Sequence, residues 1–416
     1  MSEIEVREVS LPSQFPGEPV VSIVKGIDIE NQVRRAVDLL GGMSRFVKKG
    51  NRVLLKPNVT GPASYEKGIT TNPAVLDAVL KMVTEAGASQ INVGDGTGSA
   101  HLGTLKVFDM CGYSYLKEKY KFDFIDLNKL PWHIAKVPKP YVMDEIKIVN
   151  CVYDDYDVII NLPVMKTHFI TGVSLSMKNL KGCIPPAEKR HMHEVGVNKA
   201  VADLNTIITA DLIIMDGTVG SEGLGPKEGN PVNLGVIAAG TNAVSMDAVC
   251  CAIMGFDAHD IEHIRLVYER GMGEIELDKI TILGDSIESV QRNFAPAIPK
   301  LPEGDMATII NGGACSGCIS CAVISLSRLV DSGVLESLRE RGIKITYAIG
   351  PKFDEGQVWP NKENVFLLGN CAKKMSDKGT FLPGCAPAVL DINRAIAHYY
   401  GIDPEILESI VGQVGK

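Results

Sequence analysis

An α/β architecture, with parallel or mixed sheets covered by helices, is predicted by three observations. Short apolar runs alternate with helix-period segments along almost the whole chain. Several of those runs are apolar on successive residues, as strands buried on both faces are. Helical patterns fall between them, the alternation that builds sheets with helices on either side. At 416 residues the chain is too long for one typical core, so two or three domains are expected.

The strand-like runs are 52–56 (RVLLK), 90–93, 157–162 (DVIINL), 211–215 (DLIIM), 235–239 and 279–283, followed by 307–310, 344–349 and 365–368. Helical periodicity marks 32–47, 73–86, 199–209, 258–269 and 386–400. The segment FAPAIPKLPEG, 294–304, holds three prolines and reads as a linker. It separates a large N-terminal α/β region, 1–293, which has room for two lobes, from a smaller C-terminal α/β domain, 305–416.

Composition narrows the function. The net charge of −8 argues against nucleic-acid binding, which asks for a basic face. The N-terminus is acidic and interrupted by Pro12 and Pro16, unlike a signal peptide. The longest apolar stretch, 234–256, is broken by Thr241, Asn242, Ser245 and Asp247, so no membrane span is expected. A soluble, cytoplasmic protein follows as the expectation.

Ten cysteines in a chain of this length do not suggest a disulfide scaffold. Cys111, Cys151, Cys183, Cys250 and Cys251 are scattered, and buried cysteine behaves as a small hydrophobe. Cys315, Cys318, Cys321, Cys371 and Cys385 are instead clustered, in CSGCISC, GNCA and PGCAP. Cys315 and Cys318 follow one strand-like run, Cys371 follows another, and Cys385 precedes a helix. In open α/β sheets such positions share one crevice, and helix N-termini favour the thiolate that metals require. Clustered thiolates select zinc or iron–sulfur clusters, and one dense run plus two lone cysteines suits a [4Fe–4S] cluster better than a zinc knuckle. A zinc site and a redox dithiol are the alternatives. Cys321 is either a ligand or a residue one turn along the next helix.

The pattern CSGC after a strand, then GNCA, then PGCAP before a helix resembles the cluster-binding segments of two related subunits. They are the small subunit of nickel–iron hydrogenases and the quinone-side cluster subunit of respiratory NADH dehydrogenase. The resemblance covers about the last hundred residues. It implies Cys315, Cys318, Cys371 and Cys385 as ligands and leaves Cys321 spare. It departs from the pattern at Ala386, where a proline is common.

A second resemblance covers about residues 20–290. KPNVTG (56–61), TTNPAVLDAVLKMVTEAGA (70–88), VGDGTG (93–98), NLPVMKTH (161–168), MKNLKGCIP (177–185) and MDGTVGSEGLGP (215–226) resemble the family of domain of unknown function 362. That family is often found with iron–sulfur modules, and it supplies no reaction.

The residues themselves point to a cationic site. The strand 157–162 is followed by Lys166 and His168, expected on a loop, then by Lys178 and Lys181, then by Lys189, Arg190, His191 and His193. The strand 52–56 ends at Lys56, Pro57 and Asn58. Groups beyond strand ends are where α/β proteins collect ligands. Lys166, His168 and Lys178 are the catalytic candidates, and Lys56, Asn58 and Lys181 the substrate-binding ones, suited to a carboxylate or phosphate. A solvated basic face is the plain alternative. On a helix, His191 and His193 would face different ways. VGDGTG reads as a tight turn, not a nucleotide fingerprint. The segment 216–230 reads as a glycine-rich loop able to close over the cations.

The leading expectation is an iron–sulfur oxidoreductase of anaerobic or redox metabolism, passing single electrons to or from a small anionic substrate. The alternatives are an electron-transfer or cluster-carrying protein that serves a redox partner, and a Lys/His acid–base isomerase or racemase with a structural cluster.

Overall fold

In the computed structural model the residues described are 5–7, 17–98, 102–403 and 406. The chain divides into two compact units, 1–297 and 298–416. The division falls inside the proline-rich segment, but the segment's start belongs to the first unit. Phe294 is buried there and Ala295 donates its N–H to Glu222.

Among the described residues seventeen strands form three sheets. In the first unit they are β1 (Val6–Arg7), β2 (Val20–Lys25), β3 (Arg52–Pro57), β4 (Gln90–Asp95), β5 (Asp123–Asp126), β6 (Trp132–Lys136), β7 (Glu145–Val149), β8 (Val158–Leu162), β9 (Val164–His168), β10 (Gly172–Ser174), β11 (Leu212–Leu224), β12 (Glu228–Gly240) and β13 (Thr281–Gly284). The second unit holds β14 (Ala307–Asn311), β15 (Ile345–Ile349), β16 (Val365–Leu368) and β17 (Thr380–Leu382).

The main sheet runs β13-β2-β12-β11-β8-β3-β4-β5, with β9 beside β11 and β10 beside β9. Its centre is parallel: β11/β8, β8/β3, β3/β4 and β4/β5. The chain leaves β3 towards β4 and β5 on one side, while β8 and β11 lie on the other. The sheet order therefore reverses between β3 and β8, the position where open α/β sheets hold ligands. β1, β6 and β7 form a small separate sheet, and the second unit has a four-stranded parallel sheet, β14-β15-β16-β17.

Burial explains the apolar runs. Val53, Leu54 and Leu55 of β3 are fully buried, and odd and even residues face different cores on the two sides of the sheet. The helix Pro73–Glu85 shows how the covering layer forms. Asn72 caps it by accepting from Ala74, Pro73 occupies its first turn, and Val75, Leu76, Val79, Leu80 and Val83 are buried. Fully burying each such aliphatic side chain contributes about 1.5–3 kcal/mol.

Three local expectations are corrected. The helical stretch 32–47 is two helices, Ile29–Asp38 and Met43–Phe46, divided where Gly41 and Gly42 take positive φ. The stretch 216–230 is not a lid loop: it is an antiparallel hairpin of β11 and β12, turning at Gly225–Lys227. Its glycines and polar residues mask two 13-residue strands whose backbone groups pair with each other. Lys166 and His168 lie not on a loop but on the buried strand β9. Among the described residues no single helix is long and apolar enough to cross a membrane.

Candidate functional site

The C-terminal ends of β3, β4 and β8 meet the segment 166–193 at the reversal point of the main sheet, and most of the predicted cations gather there. Lys56 is fully buried at the end of β3 and pairs with Asp95 at 2.7 Å. It also donates to the Pro57 carbonyl and to Asn179. Asp95 accepts from the backbone N–H of Val59 and Gly96. This pair is saturated and neutral as a unit. Gly182 lies against it: a Cβ there would come within 2.0 Å of Asp95 Oδ1 and 2.7 Å of Lys56 Nζ.

Lys166 is also fully buried. Its ammonium donates to Asn58 Oδ1 (2.5 Å), Ile69 O (2.6 Å) and Thr60 Oγ1 (3.2 Å). Three donors meet three neutral oxygens, so the charge has dipoles around it but no counter-ion. Burial holds Lys166 down to about 7, helped by Lys227 at the hairpin turn. Asn58 in turn donates to Asn179 Oδ1 at 2.7 Å, and Asn179 donates to Asn161. These amides fasten the ends of β3 and β8 to the short helix Ser176–Asn179.

Lys178, Lys181, Lys189 and His193 are half-buried and form the accessible side of the cluster. Lys178 has no hydrogen-bond or ion-pair partner among the described residues. Burial lowers it to about 7, with Lys166 adding to the effect. Lys181 contacts His193 Nε2 at 2.9 Å and is held well below the usual lysine range by burial, Lys178 and Lys189. Lys189 donates to Gly96 O and Asn128 Oδ1, and burial brings it to about 8. Its contact with Gly96 gives VGDGTG a structural part: it ends β4 with Asp95 and a close-packed turn.

His168 and His193 are both pushed towards the neutral form. Burial, then Lys178 and Lys181, push His168 well below its ordinary value. The N–H of Ile170 donates to His168 Nδ1, so the ring proton resides on Nε2. His193 falls to about 3, through burial, Lys181 and Lys178. His191 lies exposed beside Glu194, away from these groups.

Two features were not anticipated. Asp247 accepts from Ser176 Oγ (2.5 Å), Ser176 N (2.8 Å) and Met177 N (3.1 Å), clamping the start of the helix that carries Lys178. Burial raises it to about 7. His263, fully buried on the helix Glu262–Glu269, feels Lys178 as its neighbouring charge. No motif marks either residue. Each lies more than 65 positions from Lys178 and is brought in by packing alone.

In the second unit all four strands are parallel, so their C-terminal ends lie along one edge. Cys315 caps the helix Ser316–Asp331, Cys318 is buried in its first turn, Cys321 is half-buried, and Cys371 and Cys385 are exposed. Cys318 is hydrogen-bonded to Cys315, which with burial pushes its thiol strongly up, and Cys321 and Cys385 add to the shift. The loops bearing Cys371 and Cys385 are stitched together. Gly369 donates to Leu382 O, Asn370 to Gly384 O, and Gly384 to Asn370 Oδ1. A Cβ on Gly369 would come within 3.0 Å of Cys318 Sγ. Among the described residues no three His, Cys, Asp or Glu side chains are arranged to hold a metal ion.

Known proteins place the chain in a class. Residues 53–252 match the family described as a domain of unknown function (DUF362). The chain is 30% identical over 287 residues to the thylakoid-associated protein sll1697 of Synechocystis, covering 65% of this chain and 82% of that protein. It belongs to the DUF362 family. Among solved structures, the lactate racemase apoprotein of Thermoanaerobacterium thermosaccharolyticum aligns over 93% of this chain and 92% of its own, at 13% identity. The TM-score of that alignment is 0.38, too low to carry an argument about fold or chemistry.

Proposed function

We propose that the first unit is an enzyme that binds a small anion in the lysine cluster and moves a proton on it, as an isomerase or racemase does. One observation carries this reading. Lys178 is an unpartnered, half-buried amine held to about 7, among further cations and neutral imidazoles. A group with that value is partly protonated at neutral pH and can both accept and return a proton. Asp95 is consumed by Lys56. An incoming carboxylate or phosphate would supply the missing negative charge and form charge-assisted hydrogen bonds with Lys178, Lys181 and the His168 Nε2–H. Those same donors would stabilise the charge that develops when a proton leaves the carbon beside the anionic group. Lys166, whose donors are all used, holds Asn58 and the 60–69 segment in place instead of reacting.

The test is solvent exchange. Small carboxylates incubated with the protein in D2O should gain deuterium at the carbon beside the carboxylate, followed by NMR. Lys178→Met should remove the exchange while leaving the circular dichroism unchanged. Exchange that persists in the variant would overturn the reading.

The thiols of the second unit support a second proposal, the iron–sulfur one. Five cysteines on segments that follow the strands of one parallel sheet, with Cys318 against Cys315 and Gly369, are a soft donor set of the kind a cluster takes. Cys315, Cys318, Cys371 and Cys385 would hold it, with Cys321 in reserve. The cluster would supply one-electron transfer with a redox partner. A cytosolic setting belongs to this proposal too. Iron and sulfide analysis of anaerobically purified protein decides it, and stoichiometric zinc without iron would reject it.

A further inference from the structure

The amines of the lysine cluster divide by what their N–H groups already do. Lys56 is paired with Asp95 and also donates to Pro57 O and Asn179. Lys166 commits three donors to Asn58, Thr60 and Ile69. Lys189 commits two, to Gly96 O and Asn128. Lys178 and Lys181 remain. Among the described residues Lys181 makes one such contact, with His193 Nε2 at 2.9 Å. An ammonium has three donors, so two are left on Lys181 and all three on Lys178.

Geometry keeps these two amines side by side and open to a ligand. The helix Ser176–Asn179 runs directly into a 3-10 helix, Leu180–Cys183. Residues three apart on such a stretch share a face, with Cβ atoms about 5–6 Å apart. Both lysines are half-buried, so solvent and solutes reach them. His193, on the helix Pro186–Val195, holds Lys181 by its amine. Among the described residues no carboxylate lies within ion-pair distance of Lys178 or Lys181. The charges that act on the two are other lysines.

One carboxylate can bridge two neighbouring amines, but it sets a single negative charge against two ammonium groups. In a partly desolvated place the charge left over is costly. Two negative charges on one molecule satisfy both amines through charge-assisted hydrogen bonds. We infer that this site takes a small dianion, a dicarboxylate or a phosphate monoester, whose two charges are shared between Lys178 and Lys181. The inference rests on the anion-binding reading above and deepens it.

The experiment compares anions of matched shape on the full-length protein by titration calorimetry. Succinate is set against its monoamide, succinamate, and methyl phosphate against dimethyl phosphate, so that each pair differs by one charge. In at least one pair the dianion should bind at least about tenfold more tightly, the lower end of what a close charge pair contributes. The pair that shows the preference tells a dicarboxylate site from a phosphate one. Lys181→Met should remove most of that preference, because the second charge then has no amine. Lys181→Gln, which deletes the charge but keeps an N–H for His193, repeats the test if the methionine variant does not fold. Lys199→Met removes an equal charge from an exposed position of the first unit and should leave the preference intact. Equal affinity within both pairs would overturn the dianion inference and leave the anion site standing. Preference retained in the folded Lys181 variants, or lost equally in Lys199→Met, would overturn it as well. Absence of binding by all four anions would overturn the anion site and the inference together.

Discussion

Lys56 and Asp95 show how closely single residues are constrained here. Both are buried, and every polar atom of the pair is engaged with the other or with neighbouring backbone and Asn179. Asp95→Asn should cost about 3–5 kcal/mol in urea unfolding, because it leaves an uncompensated buried ammonium. Gly182→Ala should lose stability by a steric clash instead, since its Cβ would occupy the space of Asp95 Oδ1. If Gly182→Ala unfolds like the wild type, the packing described here is wrong. The uncompensated lysines make a pH prediction. Lys166 and Lys178 sit at about 7 in the folded protein, against an ordinary value of 10.5 when unfolded. Between those values the unfolded chain holds protons that the folded protein has released. Stability should therefore rise as pH climbs from about 7 towards 10.5, and below 7 the full penalty remains. Lys178→Met should flatten that slope. Bound anion raises the folded values, so its binding takes up protons and weakens as pH rises above about 7. Urea unfolding and calorimetry over pH 6–10 check both signs, taking that range as roughly the window around the cited values.

At the scale of elements, the short helix Ser176–Asn179 has too few turns to hold itself. Isolated helices of this length are unstable in water. Its start is instead fixed by Asp247, from the helix Ala243–Met254, through one hydroxyl and two backbone N–H groups. Its far end is held by Asn179 between Lys56 and Asn161. Asp247→Ala should loosen this element and, with it, the aim of Lys178. Amide exchange over residues 174–181 should quicken, and anion affinity should fall by at least about tenfold, as expected for a lost buried hydrogen-bond acceptor. Exchange that speeds up evenly across the first unit would show that Asp247 serves global stability and not this helix.

At the scale of the whole molecule, the two units carry different chemistries. The first gathers amines and imidazoles at the reversal of a mixed sheet. The second carries five cysteines on segments that follow the strands of a parallel one. Cys315→Ser, Cys318→Ser, Cys371→Ser and Cys385→Ser should each strip about four irons per chain from anaerobic preparations, the content of one cubane cluster. Cys321→Ser should retain them, because the loops of Cys371 and Cys385 are hydrogen-bonded to each other and Gly369 of the first lies against Cys318. Loss of iron in Cys321→Ser but not in Cys371→Ser would exchange their roles. None of these five changes should alter anion binding by the first unit.

Sequence periodicity alone determined the α/β class, because strands buried on both faces need continuous apolar runs such as RVLLK and DVIINL. It also brought forward Lys56, Lys166, His168, Lys178 and Lys181, since residues after such runs fall at strand ends. It did not separate their parts. Lys56 and Lys166 carry the same side chain as Lys178, yet tertiary packing gives the first a carboxylate, the second three oxygens and the third nothing. Polar patterning misread 216–230 as a loop, because antiparallel partners satisfy backbone groups whatever the side chains are. Asp247 and His263 were invisible in the chain: burial and long-range hydrogen bonds decide their ionisation, and those exist only once distant helices pack together.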